Sequence, residues 1–152
     1  MGLFNRLHRW EQGLHANYDN LPDTPEGARM SDFYMNWLDH AVLRGWWTNM
    51  AEVSPGVWRG NHPTPKRWHQ LKDMGIKTVL NLRAESTKPF YQTEVRFCEE
   101  LGFDLISVSL SARAAPAKDR LLRLIDVFRT IEHPFFMHCT SGADRTGLAS
   151  AI

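Results

Sequence analysis

Several features that define whole classes of protein are scarce in this sequence. Only two cysteines, Cys98 and Cys139, occur among 152 residues, too few for a disulfide framework and without the paired Cys or His spacing of a zinc site. The 18 Lys and Arg residues balance 17 Asp and Glu residues, which gives no support for broad binding to nucleic acid or to an anionic membrane. No stretch approaches the length of a membrane span, and the N-terminus lacks the apolar core of a signal peptide. A reducing cytoplasm is therefore the expected location.

The residues that are present favour one globular domain with a hydrophobic core, because 43% of them are apolar. Residues 1–52 are rich in Trp, His and Asn, and we interpret them as a helical N-terminal extension with an amphipathic helix within residues 31–49. From residue 53 onward, short β-branched strands alternate with amphipathic helices. This alternation predicts an α/β domain over residues 53–152 with a mainly parallel central sheet flanked by helices.

Two helices of this domain carry clear local signals. The first is expected to begin after Thr64 as its cap, with Pro65 at its first position, and to end before Gly75. Its apolar face is predicted to include Met74. The next helix carries Cys98 on its inward face, so that cysteine is most simply interpreted as a core residue rather than a reactive thiol.

The stretch "HCTSGADRTG", residues 138–147, carries the candidate chemistry. It follows the apolar strand "FFMH", and ligands in mainly parallel sheets bind at the carboxyl ends of strands. Small side chains would let the backbone amides converge on an anion; these residues are Thr140, Ser141, Gly142 and Ala143. Arg145 can grip two phosphate oxygens, and the same positive field would lower the pKa of the Cys139 thiol. The loop therefore predicts attack of a thiolate on phosphorus through a thiophosphate intermediate.

Each of these residues also has a simpler interpretation. Cys139 could be a core residue at the end of a strand, and Arg145 a solvated helix residue. The joint pattern decides against that interpretation, because a His before the Cys, a Gly three residues after it and Arg-Thr-Gly six to eight residues after it coincide by chance about once in a million.

The same stretch resembles the signature of the cysteine-dependent tyrosine and dual-specificity phosphatase superfamily, in which Cys, five residues and Arg are followed by Ser or Thr. The resemblance implies that Cys139 is the nucleophile and that Arg145 clamps the phosphate and the transition state. It also implies that the Thr146 hydroxyl assists the leaving thiolate and that His138 orders the loop.

Weaker similarity lies upstream of the loop. The stretches "VWRGNHPTP" and "LKDMGIKTVLNLRAES" resemble bacterial and atypical dual-specificity members, so the resemblance extends over roughly residues 53–152. It makes Arg59 and Arg83 candidate contributors to the site. Salt bridges at the surface or at the sheet end are alternative roles for both arginines.

The general acid needs separate consideration. Many family members place an acidic Asp on the loop between the preceding strand and helix, but here that loop reads "SARAAP" and has no carboxylate. The order Asp-Arg-Thr-Gly is similar to a branch of bacterial tyrosine and lipid phosphatases and of some phosphoinositide phosphatases, which implies acid or base duties for Asp144. Alternatively, Asp144 only complements the helix dipole and orders the loop.

The expected function is hydrolysis of phosphomonoesters, first of protein phosphotyrosine or with dual specificity, without a metal or cofactor. A lipid or inositol phosphatase is the alternative, although this loop lacks the lysines that such relatives often carry. A phosphate-binding pseudophosphatase and a thiol-redox, sulfur- or arsenate-handling enzyme are the other classes. The sequence offers no resolving cysteine near Cys139, which ranks the redox class last.

Family members continue with a longer helix after the position of Thr146 and with further helices that cover one face of the sheet. We therefore interpret the sequence as truncated at its C-terminus, with apolar surface exposed on that face. A chain of this length is expected to be unstable or weakly active, and a longer version to be an active phosphatase.

Overall fold

The computed structural model describes residues 48–83 and 85–152, so the helix predicted within residues 31–49 lies almost entirely outside the described residues. The chain divides into two compact units, and the sheet belongs to the unit formed by residues 43–85 and 95–152. Of the other unit, residues 86–94 are described. They contain the start of a helix, preceded by a turn in which the Ser86 hydroxyl accepts a hydrogen bond of 3.0 Å from the amide of Lys88.

Strands and helices alternate as the sequence predicts. In chain order they are β1 (Ala51–Ser54), β2 (Val57–Asn61), α1 (Pro65–Asp73), β3 (Thr78–Asn81), α2 (Pro89–Leu101), β4 (Asp104–Ser107), α3 (Lys118–Thr130), β5 (Phe135–Cys139) and α4 (Asp144–Ala149).

The strands form one sheet in the order β1-β2-β5-β3-β4. Strands β2, β5, β3 and β4 run parallel, and β1 joins β2 as an antiparallel hairpin whose turn uses Gly56 at a φ of +75°. The predicted mainly parallel sheet is therefore confirmed. Strand β5 lies between β2 and β3, so the loop that follows it emerges between the carboxyl ends of two neighbours.

Side chains of β5 alternate between two hydrophobic clusters on opposite faces of the sheet. Phe135 and Met137 pack with Leu124 of α3. Phe136 packs with Trp68 of α1 in the other cluster. Helices thus cover both faces, as expected for parallel strands that are apolar throughout.

Local signals place the ends of α1 correctly. Pro65 begins the helix after Thr64, and Gly75 follows it in the left-handed region at a φ of +77°. The predicted inward position of Met74 is wrong, because this residue lies at the C-cap and its side chain is 37% exposed. Cys98 is confirmed as a core residue, since it is only 2% exposed and packs in the cluster on the α1 side.

An open apolar groove of about 320 Å³ lies on the α3 side of the sheet. Its lining includes Val57, Phe128, Phe135, Met137 and Ala149. In the part of the chain that the structure describes, no helix has both the length and the hydropathy to cross a bilayer.

Candidate active site

The candidate site is the loop that joins β5 to α4 at the carboxyl edge of the sheet. Cys139 ends β5 and lies opposite Asn61 of β2, while Asn81 of β3 lies opposite His138. The loop residues after Cys139 lead directly into α4, which begins at Asp144. The structure thus brings all the residues predicted from the loop sequence to one end of the central strand.

The tight path of the loop depends on Gly142. This residue has a φ of +71°, in the left-handed region that glycine adopts without a steric cost. A Cβ atom at this position would lie 2.6 Å from the carbonyl carbon of Gly60 and 2.7 Å from the amide nitrogen of Asn61. The loop therefore packs directly against the backbone of β2, at a distance that only glycine allows.

The Cys139 side chain is buried, with 1% of its surface exposed. Burial raises the pKa of this thiol, but hydrogen bonds from the hydroxyl and amide of Thr146 and from the amide of Gly142 lower it, as does the charge of Arg145. The lowering effects outweigh burial, so the pKa of the Cys139 thiol is lower than its ordinary value. A larger share of the sulfur is then a thiolate at neutral pH, which is the nucleophilic form.

Thr146 is fully buried in the first turn of α4. Its hydroxyl is one of the groups that lower the pKa of the Cys139 thiol. The position fits the predicted role, because a hydroxyl that donates to the sulfur stabilises the thiolate.

The Arg145 guanidinium lies across the loop. Its Nη2 donates to Thr140 Oγ1 at 3.1 Å, whereas its Nε is buried and has no hydrogen-bond partner within the described residues. A buried donor of this kind needs an acceptor, and a phosphate oxygen would supply one with favourable charge.

The remaining loop residues are exposed at the rim of the site. Ser141, Ala143 and Asp144 all have exposed side chains, and the Ser141 hydroxyl accepts a hydrogen bond of 3.4 Å from the amide of Ala143. Asp144 is the first residue of α4, and its side chain is exposed to solvent. Its role as an acid stays a prediction.

His138 lies beneath the loop with no exposed surface. Its ring contacts three aromatic neighbours: His62 edge-on at 5.0 Å between centroids, Phe136 stacked at 5.9 Å and Trp68 edge-on at 6.3 Å. This packing holds the residue before Cys139 rigidly and supports the predicted ordering role.

The two upstream arginines differ in what they contact. Arg59 on β2 donates from Nη2 to the carbonyl oxygen of Gly142 at 2.6 Å, so the Arg59 side chain contacts the backbone of the loop. Arg83 follows β3, is 8% exposed, and its amide donates to Asn81 Oδ1 at 2.7 Å. Arg59 is therefore a neighbour of the loop in the structure, one of the two roles that the sequence left open.

One contact was missed from the sequence. Asn49 Nδ2 donates to the carbonyl oxygen of Ser141 at 2.7 Å, across a separation of 92 residues. Asn49 was included in the predicted helix, yet its φ of 45° is left-handed. Asparagine is one of the few residues with a side chain that adopts this region readily, but nothing nearby in the sequence signals the contact.

The loop between β4 and α3 has no carboxylate, as predicted. Ser111 turns the chain there, because its Oγ accepts from the amides of Arg113 and Ala114 at 3.2 and 3.1 Å. The side chain of Arg113 is exposed. This loop thus carries an exposed arginine and no carboxylate.

Comparisons with known proteins agree with this geometry. A family model described as "DSP-PTPase phosphatase fused to NAD+ Kinase" matches residues 36–151. Inositol diphosphatase DSP3 of Arabidopsis thaliana is 26% identical over 105 residues, which are 66% of this chain and 50% of that protein. The chain therefore spans about half the length of this curated relative.

Two solved structures share the fold. The catalytic domain of the PP-IP phosphatase SIW14 from S. cerevisiae matches with a TM-score of 0.60 and 22% identity, over 67% of this chain and 62% of that one. P. aeruginosa TpbA in complex with pTyr matches with a TM-score of 0.54 and 21% identity, over 68% and 64% of the two chains.

Proposed function

Because the chain belongs to the family of DSP-PTPase phosphatase domains fused to NAD+ kinase, we propose that it is a phosphatase that works through a cysteinyl-phosphate intermediate. One observation carries the proposal. Hydrogen bonds from Thr146 and Gly142 and the charge of Arg145 lower the pKa of the Cys139 thiol within a loop that can also bind phosphate.

The reaction has two steps. The Cys139 thiolate attacks phosphorus, a P–S bond forms, and the bond from phosphorus to the leaving oxygen breaks with its electron pair going to that oxygen. Arg145 and the loop amides hold the other phosphoryl oxygens as charge builds up on them. Water then attacks phosphorus, the P–S bond breaks, and the thiolate returns, stabilised by the Thr146 hydroxyl. Asp144 is the proposed donor to the leaving oxygen and acceptor of the proton from water.

The leaving group bears on the choice of substrate. A phenoxide such as that of tyrosine has a conjugate acid of pKa about 10 and needs a proton donor, whereas the second ionisation of a phosphate lies near pH 6. A phosphate leaving group can thus depart without a dedicated acid. The loop between β4 and α3 offers Arg113 and no carboxylate, which suits an anionic leaving group.

We therefore rank a diphosphate group on a polyphosphorylated small molecule, such as an inositol, as the first substrate class. The name of the Arabidopsis relative, inositol diphosphatase, supports this choice. Protein phosphotyrosine, the first choice from the sequence, is the second candidate, and the pTyr complex of TpbA supports it. A reducing compartment such as the cytoplasm would keep the free thiol of Cys139 available for either reaction.

A substrate panel tests the proposal. The purified chain is assayed on an aryl phosphate, a phosphotyrosine peptide and an inositol diphosphate, with Cys139→Ser as the control. We expect turnover that Cys139→Ser abolishes, a phosphorylated Cys139 peptide after acid quench, and the highest kcat/KM on the inositol diphosphate. Activity that survives in Cys139→Ser would refute the mechanism, and binding of phosphate without turnover would favour a pseudophosphatase. A preference for phosphotyrosine would reverse the ranking of substrates.

A further inference from the structure

Three consecutive carbonyl groups of the phosphate loop accept hydrogen bonds from residues near β1 and β2. The carbonyl of Thr140 accepts from the amide of His62 at 3.3 Å. The carbonyls of Ser141 and Gly142 accept from Asn49 Nδ2 at 2.7 Å and from Arg59 Nη2 at 2.6 Å. Two of these three donors are side chains, and both come from more than 80 residues earlier in the chain.

The direction of these carbonyls fixes the direction of the loop amides. In a planar trans peptide the C=O and the following N–H point to opposite sides. When the carbonyls of Thr140, Ser141 and Gly142 turn toward β2, the amides of the residues that follow them turn the other way. The Gly142 amide accordingly donates to the Cys139 sulfur.

We propose that Asn49 and Arg59 are positioning residues of the phosphate loop: by holding the carbonyls of Ser141 and Gly142 toward β2, they keep the amides that follow on the opposite side of the loop, where the Gly142 amide meets the Cys139 sulfur and a phosphoryl group would bind. This inference rests on the proposed function, because it assigns residues to the same site. Neither side chain needs to touch the substrate in this role.

The local structure supports the two contacts independently. The amide of Asn61 donates to the carbonyl of Thr48 at 2.9 Å, which ties the segment that carries Asn49 to the end of β2. Arg59 lies within β2, opposite Met137 of β5. Both donors are therefore attached to the strand against which Gly142 packs, so the strand and the loop form one rigid unit.

The contact of Arg59 should matter more than that of Asn49. Arg59 is partly buried and donates from a charged group, and hydrogen bonds of that kind are worth about twice as much as neutral ones. Asn49 donates from a neutral amide at an exposed position. We expect kcat/KM to fall about 10- to 100-fold when Arg59 is removed and about 3- to 10-fold when the Asn49 side chain is removed.

The variants are chosen so that each loses a donor with little other change. Asn49→Gly removes the side chain, leaves the net charge unchanged and still allows the positive φ. Arg59→Ala removes the donor, and Arg59→Lys keeps a cationic donor with a shorter reach. The matched control is Arg67→Ala, because Arg67 is a half-buried arginine of the same unit that contacts Gln70 and Met50 and not the loop.

Three measurements are made on each folded variant. The pH at which the Cys139 thiolate absorbs in the ultraviolet, with Cys139→Ser subtracted, reports the field at the sulfur. The affinity for inorganic phosphate reports the direction of the amides. Values of kcat and KM on an aryl phosphate report turnover.

We expect Asn49→Gly and Arg59→Ala to shift the thiolate titration to higher pH, to weaken phosphate binding and to lower kcat more than they raise KM. Arg59→Lys should recover part of each loss, and Arg67→Ala should match the wild type. Because the two residues hold one loop, the double variant should lose less than the product of the single losses.

An unchanged titration and unchanged phosphate affinity in folded Asn49→Gly and Arg59→Ala would overturn the proposal. The proposal would also be overturned if the losses in phosphate affinity and kcat were proportional to losses in thermal stability and Arg67→Ala showed the same losses. Failure of the proposed function would give a different result. A wild-type chain that binds phosphate but has no turnover would refute the phosphatase activity. The thiolate titration and the phosphate affinity of the variants would still test the roles of Asn49 and Arg59.

Discussion

Replacing Gly142 with alanine tests how tightly the phosphate loop is held against β2. The new Cβ would lie 2.6 Å from the carbonyl carbon of Gly60, whereas ordinary contacts begin at 3.4 Å, so the two backbones must separate by about 0.8 Å. Gly60 and Asn61 are paired with His138 and Cys139 in the sheet, which prevents β2 from yielding. The displacement therefore falls on the loop.

Two effects lower the unfolding free energy of Gly142→Ala. A non-glycine residue in the left-handed region costs about 1–2 kcal/mol, and overpacking costs a further 1–3 kcal/mol. Gly75→Ala isolates the backbone strain, because Gly75 has a φ of +77° and nothing lies within 4 Å of the added Cβ. We expect Gly75→Ala to lose about 1–2 kcal/mol of unfolding free energy with unchanged kcat/KM, and Gly142→Ala to lose about 2–5 kcal/mol.

The larger effect should be on catalysis, since misplacing a reacting group by about 1 Å can cost about 100-fold. Urea unfolding measures the stability of both variants, and kcat/KM on an aryl phosphate measures the catalytic loss. If Gly142→Ala matched Gly75→Ala in stability and stayed within about twofold of the wild type in kcat/KM, the close packing of the loop on β2 would be refuted.

Three further changes test other parts of the site. Because the pKa of the Cys139 thiol is lowered in the folded state, its thiolate stabilises the fold fully above the unfolded pKa of about 8.5, and this contribution is lost as the pH falls through the folded pKa. Thr146→Val should raise the midpoint of the thiolate titration and lower kcat. An unchanged midpoint would contradict the effect of the Thr146 hydroxyl on the sulfur. Asp144→Asn should lower kcat/KM on phosphotyrosine by about 100-fold and change kcat/KM on an inositol diphosphate much less, because kcat/KM reports formation of the cysteinyl phosphate and not its hydrolysis; equal effects on both substrates would remove the leaving-group basis for ranking them. Trp68→Ala should cost about 3–5 kcal/mol in urea unfolding, because Trp68 is 1% exposed in the core and packs edge-on against His138; a loss below about 1 kcal/mol would show that this cluster does not anchor the loop.

Local signals account for what the sequence predicted correctly. Pro65 and Gly75 mark the ends of α1 through their own backbone preferences, and no distant contact is needed to place them. The residues from His138 to Thr146 lie together because they are adjacent in the chain and follow the central strand. Their chemistry could therefore be predicted from one short stretch of sequence.

Features that depend on distant contacts could not be predicted in the same way. The side chain of Asn49 meets the loop only because β1 pairs with β2 and β2 pairs with β5, and the residues next to Asn49 in the sequence do not signal that contact. Met74 follows the helical period of Trp68 and Leu71, but α1 ends before it, and the side chain is left at the surface. A distant contact therefore decides the role of Asn49, and the end of the helix overrides the apolar period at Met74.

The packing of the loop also bears on where the functional unit begins. The sequence places the domain boundary at residue 53, after the N-terminal extension. Yet Thr48 bonds to the end of β2 and Asn49 bonds to the carbonyl of Ser141, so both precede that boundary while contacting the site or its supporting strand. The family match, which starts at residue 36, likewise includes them. Thr48 and Asn49 therefore belong to the part of the described chain that contacts the phosphate loop or its supporting strand.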